Sequence, residues 1–135
     1  MRHLIGTIGS CVAALCVIAG CSKPPAFSGG ELFAANCASC HGRYGEGDGP
    51  ATADTSGSIP DLRYLAARNG GAFPRDRVAD LIDGREIVKA HGDRQMPVWG
   101  EAFAALDDAN GSEEARSAAK IQALVDFLVG IQQKK

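Results

Sequence analysis

Cys37-Ala38-Ser39-Cys40-His41 constrains this chain more than any other stretch. Two thiols separated by two residues and followed at once by an imidazole meet the requirements of covalent haem attachment. Each sulfur adds to a porphyrin vinyl group, and the adjacent histidine reaches the iron. Two other uses of a C-x-x-C pair stand beside this one. A zinc site needs two further ligands, and downstream of the leader described below the chain offers only His91 and Cys21. A thioredoxin-like redox pair wants a βαβ setting, and no strand pattern of useful length occurs. The rest of the sequence is therefore read for a second iron ligand and for elements that enclose a flat ring.

Upstream, Arg2 and His3 precede a run from Leu4 through Ile18 without charge, the pattern of an export signal. Its end, Ile18-Ala19-Gly20-Cys21, resembles a bacterial lipoprotein signal, in which the cysteine after small residues takes a diacylglyceryl group and becomes the N-terminus. Cleavage without lipid and an uncleaved anchor are the alternatives; the anchor is a marginal span, because small residues interrupt it. All three place the domain outside the cytoplasm, with a periplasmic, membrane-anchored lipoprotein as the expectation. Ser22 after Cys21 resembles lipoproteins sorted to the outer membrane. The expected division is a signal peptide at residues 1–20, a lipidated N-terminus and tether at 21–27 containing Pro24-Pro25, and one domain at 28–135. Cys11 and Cys16 fall within the signal and Cys21 is used by lipid, so cysteine arithmetic leaves Cys37 and Cys40.

The domain reads as helical. Ser28 and Glu31 form a capping box, with Phe27 and Leu32 placed as its hydrophobic staple, so a helix starts there, carries Leu32 and Phe33 and runs into Cys37. Glycines between Gly42 and Gly49 exclude regular structure and allow close backbone approach. After Pro50, the polar run from Thr52 to Ser58 reads as an exposed loop. Asp61 caps a short helix through Leu62, Tyr64 and Leu65 that Asn69-Gly70-Gly71 ends. A further helix has Pro74 in its first turn, an apolar stripe of Val78, Leu81 and Ile82, and a stop at Gly84. Ser112-Glu113-Glu114 opens the last helix, whose buried face is expected at Ile121, Leu124, Phe127, Leu128 and Ile131.

Aromatics make up only 6% of the residues, so protein side chains alone give a thin core that a buried porphyrin would complete. The formal charge is −2, one unit more negative once Arg2 is removed, and no basic patch suggests nucleic acid. Met96 is the single methionine beyond Met1. A thioether favours ferrous iron and raises the potential, and Pro97 keeps the following segment from continuing as helix. His91 is the competing ligand, and a core-filling Met96 the plainer use.

Together these segments resemble the class I c-type cytochromes of the small bacterial monohaem kind. Gly29 and Phe33 precede the attachment motif, Gly45-Glu46-Gly47-Asp48-Gly49-Pro50 forms the loop, and Met96-Pro97-Val98-Trp99-Gly100 and Leu124-Val125-Asp126-Phe127-Leu128 follow. The resemblance implies an all-α fold of three to five helices around one covalent haem c. It also implies crossed N- and C-terminal helices, with Gly29 against Phe127. Cys37 and Cys40 would hold the haem, with His41 and Met96 as axial ligands. Pro50, or Pro60 in its place, would offer its carbonyl to the histidine ring. Trp99 either reaches a propionate through its indole or packs, Arg43 and Arg94 are candidate propionate neighbours, and Tyr44 is a candidate pocket wall. The implied function is electron transfer, not catalysis, with redox proteins, membrane-bound respiratory components among them, and a lipid bilayer as partners. A subunit of a respiratory or dehydrogenase complex is the nearest alternative; a haem sensor or peroxidase with a dissociable Met96 is the remote one. The chain departs from mitochondrial members in having no lysine-rich ring, so strong basic steering is not expected.

Overall fold

Side chains near in sequence cap three of the helical starts. In this computed structural model, which describes residues 27–54, 58–86, 96–105 and 112–134, the first helix, α1, runs Gly29–Asn36. Ser28 caps it, its Oγ accepting from the Glu31 N–H at 3.3 Å. A short helix, α2, follows at Ala38–His41. Asp61 caps a 3₁₀ turn, Leu62–Tyr64, that continues into α3, Leu65–Arg68. α4, Arg75–Asp83, starts after Pro74 and stops at Gly84. α5 is Trp99–Ala105, and α6, Glu113–Gly130, is capped by Ser112, whose Oγ accepts from the Ala115 N–H at 3.2 Å. No β-strand occurs among the described residues, as the all-α expectation requires. The leader, Cys21, His91 and Arg94 lie outside those residues.

The 18-residue α6 is about 27 Å long, and α1, α4 and α5 all pack on it. Where α1 crosses, the backbones come so close that a Cβ on Gly29 would lie 2.7 Å from the Ala123 carbonyl carbon and 2.9 Å from Phe127 Cβ. The Phe33 and Phe127 rings meet beside this crossing with centroids 4.9 Å apart. Phe33, Phe103, Leu124 and Val125 are the largest fully buried side chains. Past α6, the Gln132 side chain accepts from the Ala66 N–H and donates to the Leu62 carbonyl, both at 2.9 Å. The Gln133 N–H donates to the Arg63 carbonyl at 2.8 Å, so the end of the chain is sewn to the start of α3.

Three features differ from the sequence expectation. The buried surface of α6 is wider than one stripe: Ser117, Lys120, Ala123 and Val125 are buried, while Phe127 and Ile131 are only half-buried. Contact with three helices rather than one accounts for this, and the Lys120 ammonium is covered by aromatic rings, lying 5.3 Å from Phe27 and 5.5 Å from Phe103. Part of the expected loop after Pro50 is a 3₁₀ turn, Pro50–Asp54. The helix α5 was not expected, because Gly100 sits inside it.

Candidate functional site

The attachment motif begins where α1 ends. The Cys37 N–H donates to the Phe33 carbonyl at 2.9 Å, closing α1. The Cys37 carbonyl then accepts from the N–H groups of Cys40 at 3.2 Å and His41 at 2.9 Å, opening α2. Gly42 ends that turn at φ +80°, a conformation that side chains with a Cβ rarely adopt. The glycine loop then folds back over the motif. The Gly47 N–H donates to the His41 carbonyl at 2.7 Å, and Thr52 Oγ1 donates to the Cys40 carbonyl at 3.1 Å. Gly49 lies against α2 so closely that a Cβ there would be 2.7 Å from the Ala38 carbonyl oxygen. From the other side the Leu62 N–H reaches the Gly45 carbonyl at 2.7 Å. The Glu46 carboxylate accepts from the Tyr44 N–H at 2.9 Å and from Arg63 Nη1 at 3.1 Å. Cys37, Cys40 and His41 are thus carried by a turn braced from the loop and from the 3₁₀ turn at Leu62.

Cys37 and Cys40 are both half-buried and are not joined to each other. Burial pushes the Cys37 thiol up to about 11, with the nearby Cys40 adding to the shift. A redox-active dithiol wants the opposite, a lowered pKa. His41 Nδ1 is fully enclosed, which leaves Nε2 as the nitrogen to face a metal.

The remaining expected residues fall into two groups. Pro50 opens the 3₁₀ turn directly after Gly49, and Pro60 also passes the loop, its carbonyl carbon 3.3 Å from where a Gly47 Cβ would stand. Both prolines are therefore brought to the attachment turn. Met96 is 36% exposed and stands three residues ahead of Trp99, the first residue of α5. Trp99 packs on Phe103 with ring centroids 5.3 Å apart. Tyr44 is 57% exposed in the protein alone, with the Arg43 guanidinium 5.5 Å above its ring. Leu62, Leu65, Phe73 and Trp99 pack on the core while keeping part of their apolar surface.

Two unjoined thiols and an imidazole with Nδ1 enclosed, carried on one braced turn beside half-covered apolar side chains, fit a covalent haem. The bracing by Glu46, Arg63 and Gln132 was not foreseen, because nothing local in sequence marks partners so far apart. Comparison with protein-family models matches residues 27–132 to the family described as Cytochrome c. No curated protein and no solved structure matches the chain.

Proposed function

Because the chain belongs to the cytochrome c family, whose members carry electrons on covalently bound haem c, we propose that it is a membrane-tethered monohaem carrier with His41 and Met96 as axial ligands. The observation that carries this reading is the braced turn presenting Cys37, Cys40 and His41 together. The bound haem supplies a one-electron ferric–ferrous couple.

The residues of the chain do the rest. Cys37 and Cys40 would hold the haem through two thioether bonds. His41 offers Nε2 to the iron from within the same turn, so attachment and ligation share one rigid support. The enclosed Nδ1 needs an acceptor that orients the ring and raises its basicity; Pro50, next to Gly49 under α2, is the residue we assign, ahead of Pro60. Met96 would supply a soft ligand, which would shift the potential upward. Trp99 contributes an apolar wall. With His41 and Met96 both holding the iron, the group would keep the same protein ligands on electron gain or loss.

The lipoprotein-like Cys21 supports an extracytoplasmic anchor, and an anchored domain meets membrane-bound redox partners at raised effective concentration. The test of ligation is spectroscopic. Ferric holoprotein is expected to have the thioether-to-iron charge-transfer band, and Met96→Ala to lose it and lower the potential. An unchanged spectrum in Met96→Ala removes Met96 from the ligand set.

A further inference from the structure

The segment bearing Met96 is anchored through α5 to a hydroxyl on α6. Met96 stands three residues ahead of α5, so its Cα lies at most about 10 Å from that of Trp99. Where that turn is held therefore limits where the thioether can reach. Three contacts hold the turn. Ser117 on α6, only 5% exposed, donates from Oγ to the Gly100 carbonyl at 2.9 Å. Gly100 is pressed against the end of α4: a Cβ there would lie 2.9 Å from the Asp83 carbonyl oxygen and 3.0 Å from its Cγ. Phe103, 1% exposed, plugs the next turn into the core. Of the three, the Ser117 bond is the only one directed at the first turn from α6. That helix also carries Ala123 and Phe127 against α1, and α1 leads into His41. One rigid element therefore connects the supports of both iron donors.

Resting on the reading that Met96 ligates iron, we propose that Ser117 is a positioning residue for that ligand. Its hydroxyl fixes α5 so that the thioether stays on the iron against competing ligands. Losing one net hydrogen bond shifts such a balance roughly three- to tenfold.

The experiment is a titration of ferric holoprotein with imidazole, followed by loss of the charge-transfer band. Ser117→Ala is expected to bind imidazole roughly three- to tenfold more tightly than the parent protein. Ser117→Cys, which keeps the volume but is a weak donor, is expected to move in the same direction and serves if the alanine variant does not fold. Ser112→Ala is the control, since it removes the cap of the same helix and lowers stability without touching α5. Its imidazole affinity is expected to equal that of the parent. Parent-like affinity in both Ser117 variants, or an equal shift in Ser112→Ala, overturns the proposal while leaving the ligand assignment standing. A charge-transfer band that persists in Met96→Ala overturns both.

Discussion

Asp61 takes three hydrogen bonds from one neighbour: Oδ1 from the Arg63 N–H at 2.9 Å and from Nε at 3.0 Å, and Oδ2 from Nη2 at 2.8 Å. Those bonds, with the positive charge behind them, hold its carboxyl below the usual carboxylate range against a smaller opposing effect of burial. A carboxyl whose folded pKa lies below its unfolded value stabilises the fold above that unfolded value, near 3.9, and the gain fades as pH falls through the folded value. The carboxylate is partly exposed, so solvent screening keeps the contribution of the ion pair small. Asp61→Asn keeps a capping side chain and loses the charge. Urea unfolding should show the variant less stable than the parent at pH 7, with the gap closing as the pH is lowered below about 4; a gap independent of pH would contradict the assignment. Ser28, Asp61 and Ser112 were legible in the sequence because a cap acts within three residues of itself. Ser117 and Lys120 were not, because a polar residue in a helix is buried only by what packs on it, and here that is α5 together with Phe27.

The crossing of α1 and α6 depends on one missing side chain. Ala is the better helix former by about 1 kcal/mol, yet at Gly29 its Cβ would overlap the Ala123 backbone, which cannot rotate away. Overpacking of this kind costs about 3 kcal/mol, so Gly29→Ala is expected to destabilise the holoprotein by about 2 kcal/mol net, read from the urea midpoint. An unchanged or raised midpoint would place the crossing elsewhere. The long, strongly capped α6 was legible and so was α4, whose stripe and glycine stop agree. The seven-residue α5 was not. A helix that short is marginal by itself and gains its stability from tertiary packing, here from the core that receives Phe103 and from the Ser117 bond, and the groups on the far side of both contacts lie outside residues 99–105.

At the scale of the whole molecule, nine buried hydrophobic residues make up the described core, with half-covered apolar groups along its rim. That is little apolar burial to set against the ordering of the chain. Removing both attachment points in Cys37→Ser/Cys40→Ser is therefore expected to abolish the cooperative thermal transition in far-UV circular dichroism; a melt like that of the holoprotein would mean that protein packing suffices alone. The anchor is tested separately by Cys21→Ser, which should move the protein from the membrane to the soluble fraction with its haem spectrum intact. The motif and the general fold were legible because their residues are adjacent or periodic. The wiring between distant segments, such as Gln132 to Ala66, was not.

The packing of α1 on α6 also imposes an order of events. A polypeptide is made from its N-terminus, and elements fold as their partners become available. The residues that cover α1, Ala123 and Phe127, emerge long after Gly29. Closing a contact across so much chain is slow as well as late. For that interval the helix that leads into Cys37, Cys40 and His41 lacks the packing partner that fixes it in the finished fold.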